Sequence, residues 1–132
     1  MWKVIPTAGS SYGKSSGDAP DSICPKGWRL PGYDDNKSFY HLVRVYVGRS
    51  GGTEGLTQGT TVMQISPLSF LRSGRYSYES GSLDTRTSYG SYWSGRSYSI
   101  TNSYYLSLWS TRLYPQYNYY RGTGFALRCL AR

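Results

Sequence analysis

Two cysteines, Cys24 and Cys129, stand near opposite ends of the chain, and their pairing limits which folds are open to it. They come with neither a second cysteine pair nor neighbouring histidines, so they lack the makings of a zinc site. One disulfide tying the N-terminal segment to the last strand is the simplest account. It would close a loop of about 100 residues, stabilise the fold by roughly 2–5 kcal/mol and imply an oxidising compartment. Two buried free thiols in a cytosolic protein are the alternative.

With 132 residues the chain has the length of a single domain. Its apolar fraction is low at 38%, yet aromatic residues reach 17%, which sets it apart from disordered sequences. Fifteen Tyr and sixteen Gly predict a fold with few helices, many turns and an aromatic surface. The net charge is +8, and Asp84 is the last acidic residue. Arg86, Arg96, Arg112, Arg121, Arg128 and Arg132 follow it without a single Lys. Arg-only usage favours planar hydrogen bonding and stacking at a protein or glycan interface, with an anionic partner as the alternative. No stretch reaches the roughly eighteen apolar residues of a membrane span. The opening Met1–Pro6 is too short and polar for a signal peptide, so any export signal is expected to lie outside this chain.

Residues 7–22 read as a polar loop, and Ile23–Pro31 as a rigid corner in which Trp28 is an anchor. One helix is predicted over 36–47, with Phe39, Leu42, Val43, Tyr46 and Val47 on one stripe. Asp34, Asp35 or Asn36 would cap it and Gly48 would end it. Residues 48–66 read as a long irregular loop with little core, and Pro67–Leu71 as a return to the core. Short strands follow at 74–78 and 91–94. The clearest is Tyr104–Trp109, where Tyr104, Leu106 and Leu108 share one face and Tyr105, Ser107 and Trp109 the other. After a predicted loop over 114–124, a last strand sets Phe125, Leu127 and Cys129 on one face.

The stretch from Tyr89 to Tyr120 holds nine tyrosines, interleaved with Ser, Gly and Arg. Tyrosine offers a large contact area at low entropic cost together with a hydroxyl, and with Arg and Trp anchors this is the composition of antibody-like recognition loops. The bland alternative is that the tyrosines half-pack as lids over a small core. Interleaved Arg and Tyr also suit nucleic acid, but no RNP-like strand, helix-turn-helix pattern or zinc framework accompanies them. His41 falls off the helix stripe with no catalytic partner in sight, and Asp34–Asp35 are explained by capping. Gly48–Gly55 and Gly13-Lys14-Ser15 lack the spacing of a phosphate loop. The absence of carboxylates after Asp84 argues against calcium in the second half. The expectation is a non-enzymatic binding module with no cofactor or metal.

Four segments together resemble a known family: Ile23-Cys24-Pro25-Lys26-Gly27-Trp28-Arg29-Leu30-Pro31, Pro67-Leu68-Ser69-Phe70 with Ser73-Gly74, Gly90-Ser91-Tyr92-Trp93-Ser94, and Gly124-Phe125-Ala126-Leu127-Arg128-Cys129-Leu130. They are similar to the bacterial major paralogous domain first noted in Fibrobacter, which shares the C-type lectin-like fold and the scaffold of the formylglycine-generating enzyme. The resemblance runs from about Trp2 to Arg132. It implies an α+β fold with one or two helices, small twisted antiparallel sheets and irregular loops, the chain ends lying close together. It also implies a terminal Cys24–Cys129 pair and scaffold roles for Trp28, Leu30, Trp93, Phe125 and Arg128. Relatives are typically exported proteins, often one module of a longer surface protein, and a non-catalytic structural or adhesion module of the cell envelope is the alternative reading for this chain.

A narrower resemblance is to the variable proteins of diversity-generating retroelements, which use this fold and rewrite a C-terminal ligand-binding face at adenines. It implies variable positions at Tyr98, Tyr105, Trp109, Arg112, Tyr114, Tyr117, Tyr119, Arg121 and Thr123. With Tyr92 and Asn118 these make up the candidate ligand-binding residues, expected as one continuous exposed face over 92–123. Its partner would be a protein or glycan on another cell, a phage or a host surface. The chain departs from the fold's calcium-binding lectins in lacking their acidic motif. It departs from the sulfatase-modifying enzymes in lacking their reactive cysteine pair.

Overall fold

Helix α1, Phe39–Val47, begins where Ser38 accepts a hydrogen bond from the His41 backbone N–H at 3.0 Å. It ends at Gly48, whose left-handed φ of 79° lets its N–H reach the Arg44 carbonyl. The cap is thus Ser38. Asp34, Asp35 and Asn36, expected to serve there, lie outside the residues described by this computed structural model, which are 17–18, 23–33, 37–48, 56–57 and 59–131. Phe39 and Val43 are buried, Leu42 and Val47 pack partly against them, and Tyr46 turns to solvent.

A second helix, α2 (Thr60–Gln64), corrects the expectation of a coreless loop over 48–66. Its Met63 is fully buried, and Leu56 packs on the same cluster. Of that segment, residues 49–55 and 58 lie outside the described residues. Five residues started by Gly59 carry too little periodicity to announce a helix.

The main sheet is a four-stranded antiparallel array in the order β1-β5-β6-β7, built from β1 (Gly17–Asp18), β5 (Tyr89–Ser97), β6 (Asn102–Trp109) and β7 (Leu113–Tyr120). Two ribbons flank it: β2 (Trp28–Arg29) with β8 (Leu130–Ala131), and β3 (Arg75–Tyr76) with β4 (Leu83–Asp84). Strand β7 replaces most of the loop expected over 114–124. In its pairing with β6, Tyr105 lies opposite Tyr117 and Ser107 opposite Tyr114, so β7 holds one extra residue between them. Pro115 falls in that bulge, where a missing N–H costs no ladder bond.

One face of the sheet meets the helices. Tyr92, Leu106, Leu108 and Leu113 form a cluster with Phe39, Val43, Met63, Leu68 and Phe70. On the opposite face Trp93 and Tyr105 are buried with Leu30, and Cys24, Phe125, Leu127 and Tyr119 pack around them. Regular strand at the C-terminus is confined to β8, yet the expected alternation is visible: Phe125 and Leu127 join the second cluster while Ala126 joins the first.

Cys24 and Cys129 form a disulfide, with an S–S distance of 2.06 Å and Cα atoms 5.8 Å apart. Beside it, Trp28 pairs with Ala131 and Arg29 with Leu130. Trp28 itself is 46% exposed, which corrects its reading as an anchor. The two-residue ribbon turns it outward, and Leu30 and Pro31 are the buried residues of the corner. Gly17–Asp18 pair with Ser97 and Arg96, so part of the polar segment 7–22 is strand; its other residues lie outside the described ones. Among the described residues no helix is long and apolar enough to cross a membrane.

Candidate ligand-binding site

Strand alternation decides which tyrosines can meet. Tyr89 and Ser91 of β5, and Tyr105, Ser107 and Trp109 of β6, project from the face away from the helices. The bulge at Pro115 then does something a regular strand cannot: it sets Tyr114 and Tyr117, three residues apart, on one face. Tyr119 follows on that same face.

All of these side chains except Tyr114, which adjoins it, line a cavity of about 240 Å³, closed by Phe125 and by Arg75 and Thr85 from the β3–β4 ribbon. The aromatic rings in and beside it pack edge to face or tilted. Tyr89 and Trp109 have centroids 5.0 Å apart at an interplanar angle of 89°, and Trp109, Tyr114 and Tyr117 continue the series at 5.1 and 5.0 Å. Such pairs hold each other's orientation and contribute about 0.5–1.5 kcal/mol beyond area burial. The Trp109 indole N–H donates to Ser107 Oγ at 2.6 Å, which fixes the ring at the mouth.

Charge enters from the ribbon. Arg75 and Asp84 face each other in register, and Arg75 Nε donates to Asp84 Oδ1 at 3.0 Å. The guanidinium also lies 5.1 Å from the centre of the Tyr119 ring. Burial pulls the Arg75 pKa down, but the bonds to Asp84 and Tyr119 outweigh it and the net direction is up. Gly74 makes the close approach possible: with φ at 81°, a Cβ there would run into the Asp84 carbonyl. Thr85 sits at φ 55°, a left-handed conformation that costs a β-branched residue on the order of 1–3 kcal/mol. Its hydroxyl is shut off from solvent with no hydrogen-bond partner among the described residues. Burial, with Ser107 opposing, holds the Tyr105 phenol well above its ordinary pKa, so it stays a neutral donor.

No family model, curated protein or solved structure matches this chain. The site's chemistry therefore rests on its own geometry.

Of the residues expected to bind ligand, Tyr105, Trp109, Tyr117 and Tyr119 meet in the cavity and Tyr114 adjoins it. Others do not belong to one exposed face, which corrects that expectation. Tyr92 is 6% exposed on the helix side, where its hydroxyl both accepts from the Leu71 N–H and donates to the Leu71 carbonyl, each at 2.9 Å. Arg121 is 7% exposed and clamps the β5–β6 turn, donating to the carbonyls of Ser99 at 2.6 Å and Asn102 at 3.3 Å. Thr123 is fully buried in the turn after β7. Asn118 accepts from Asn102 Nδ2 at 3.0 Å, away from the cavity. Tyr98 is exposed and stands edge-on to Tyr104, which belongs to a separate group with Tyr33. Arg112 is exposed in the β6–β7 turn.

Sequence reasoning missed Arg75, Thr85, Tyr89, Ser91, Ser107 and Phe125 as cavity residues. Tyr89 and Ser91 were within reach of the alternation that ends at Trp93. Arg75 and Thr85 were not, since a ribbon of two-residue strands leaves no periodic trace.

A second cavity of about 410 Å³ lies between the start of α1, Leu68, Phe70 and the C-terminal segment. It is larger but mostly apolar, and Arg128 covers its Phe70 floor at 4.4 Å. The smaller cavity brings an ion pair, hydroxyls and aromatic rings to one point, and is the better candidate for specific recognition.

Proposed function

We propose that this chain is a non-enzymatic recognition module that binds a protein or glycan ligand on a cell, phage or host surface through the aromatic cavity of its main sheet. The observation that carries this reading is the cavity itself: six aromatic side chains, Arg75 held by Asp84 and several hydroxyls converge on the sheet face that the two described helices leave open. Convergent aromatic and Arg side chains are the usual anchors of binding hot spots. The disulfide supports an extracellular or cell-surface setting.

The α+β architecture, with β2 and β8 pairing beside the disulfide, is consistent with the C-type lectin-like fold and the Fibrobacter-type domain, and this is the family we propose. Diversification by a retroelement is part of the proposal for Tyr105, Trp109, Tyr114, Tyr117 and Tyr119. It predicts a near-copy of the DNA encoding 92–123, differing only at adenines, beside a reverse-transcriptase gene.

The binding experiment is a surface-display screen against intact cells and phage with the parent protein and Trp109→Ala. Loss of capture in the variant, with folding retained, is the expected result; equal capture would remove the cavity from the function. An anionic polymer is the second reading, supported by the net charge of +8. It predicts affinity that falls steeply with salt across unrelated nucleic-acid sequences.

A further inference from the structure

The chemistry of the cavity narrows its ligand. Among the side chains lining it Arg75 is the one that carries charge, and Asp84 neutralises it from behind at 3.0 Å. An anion would have to compete with Asp84 for the guanidinium, or leave its own charge uncompensated in a half-buried site. A cation would be drawn by the rings but repelled by Arg75 and by a protein of net charge +8. A wholly apolar ligand would strip water from Ser91, Ser107 and the phenols of Tyr105 and Tyr117 without replacing their hydrogen bonds. What remains is a neutral ligand with an apolar face and a polar edge.

Size narrows it again. A volume of about 240 Å³ falls below the roughly 300–1,000 Å³ typical of sites for drug-sized molecules, so it holds one ring rather than a chain of them. Thr85 adds an independent mark. A strained residue with an unpaired buried hydroxyl in the cavity wall is the kind of local cost found at ligand clamps.

We infer that the cavity takes a single neutral pyranose ring, its C–H face against the aromatic wall and its hydroxyls toward Arg75 and Ser107. This deepens the proposed recognition function and rests on it. It divides the labour between two parts of the chain. Strands β5–β7 supply the stacking wall, while the β3–β4 ribbon, outside the stretch 92–123, supplies Arg75, which reads hydroxyl orientation while Asp84 holds its guanidinium from behind. A planar guanidinium held by a carboxylate presents its remaining N–H donors in one plane, which suits adjacent hydroxyls.

The test uses the disulfide-bonded protein and methyl glycosides of glucose, galactose, mannose and N-acetylglucosamine. Glucuronate and tetramethylammonium serve as the charged comparators. Saturation-transfer NMR and tryptophan fluorescence report binding. At least one neutral glycoside is expected to bind with a Kd of about 1 mM, as befits a dozen heavy atoms. Its affinity should drop roughly tenfold or more in Trp109→Ala and in Asp84→Asn, and by a similar factor in Arg75→Lys, which keeps the charge but loses the planar fork. Circular dichroism of each variant separates lost binding from lost folding, and Tyr117→Phe gives a conservative check on one wall hydroxyl. Binding of only glucuronate or only tetramethylammonium overturns the inference. So does the absence of any glycoside signal at tens of millimolar. If the display screen still captures a surface protein in a Trp109-dependent manner, the recognition function survives and the saccharide assignment alone falls.

Discussion

The two faces of the main sheet are made by the same three long strands, yet they are built for different ends. Toward the helices, Leu106, Leu108 and Leu113 interlock with Phe39, Val43 and Met63, and polar groups there are tied off, as the Tyr92 hydroxyl is to Leu71. Toward the other side the strands present Tyr89, Tyr105, Trp109, Tyr117 and Tyr119, which no helix among the described residues covers. Aliphatic residues fill space without direction, so helices can close over them. Rings held edge-on or tilted against one another leave gaps between them, and here the gap is a cavity. Closure on the aromatic side is partial: Trp93 is buried at 1% exposure under Phe125, while Tyr117 at 40% remains in contact with solvent. Burial on that face is thus a gradient from scaffold to site.

The comparison breaks most readily at its buried ends. Trp93→Ala should cost about 3–5 kcal/mol and Leu106→Ala about 2–5 kcal/mol in chemical denaturation, one from each face. Near-neutral behaviour of Trp93→Ala would mean that the aromatic face has no core of its own. Reducing the Cys24–Cys129 bond should lower stability by roughly 2–5 kcal/mol while secondary structure persists in circular dichroism. A full loss of structure would make the bond a condition of folding. Trp109→Ala and Tyr117→Ala should each change stability by no more than about 1 kcal/mol. A cost comparable to that of Leu106→Ala would turn these residues from site into core and erase the distinction between the faces.

Alkaline pH gives a finer probe. Tyr104 is pushed up to about 12, mainly by burial and then by its hydrogen bond to Tyr33, and Tyr105 is also raised. A phenol whose folded pKa exceeds the unfolded value of 10.0 favours the folded state fully below that value. The melting temperature should therefore hold up to about pH 10 and then fall as pH rises toward 12. Tyr104→Phe should shallow the fall. A flat alkaline limb would show that both phenols are solvated. The smallest effect expected is that of a calcium chelator, which should leave the melting temperature unchanged; a shift of several degrees would reveal a metal held by other groups.

Much of the helix-facing side was legible in the chain. The stripe of α1 and the alternation through Leu106 and Leu108 are simple periods, and both are present in the fold. Legibility fails where period and composition part company. Pro115 reads as a strand breaker, but at a bulge it lets β7 continue. A tyrosine reads alike on either face, so Tyr92 and Arg121 look like recognition residues until register and turn contacts assign them structural work. The cavity was half legible for a similar reason. Its wall comes from adjacent strands whose parity can be counted, whereas Arg75 and Thr85 arrive from a ribbon whose position depends on tertiary packing.

The disulfide has a mechanical consequence. If the chain is tethered at both ends, tension entering before Cys24 leaves through Cys129, and the 105-residue separation between them carries no load. Among the described residues, the noncovalent contacts in the path of such a pull include the two pairs joining β1 to β5, the two joining β2 to β8 and the hydrogen bond that Lys37 donates to the Ala131 carbonyl. Strands β6 and β7, with the aromatic wall they carry, lie inside the covalent shortcut. A ligand held in the cavity would thus be gripped by a part of the molecule that stretching does not reach, and the bond between the sulfurs would set how hard the tether can be pulled.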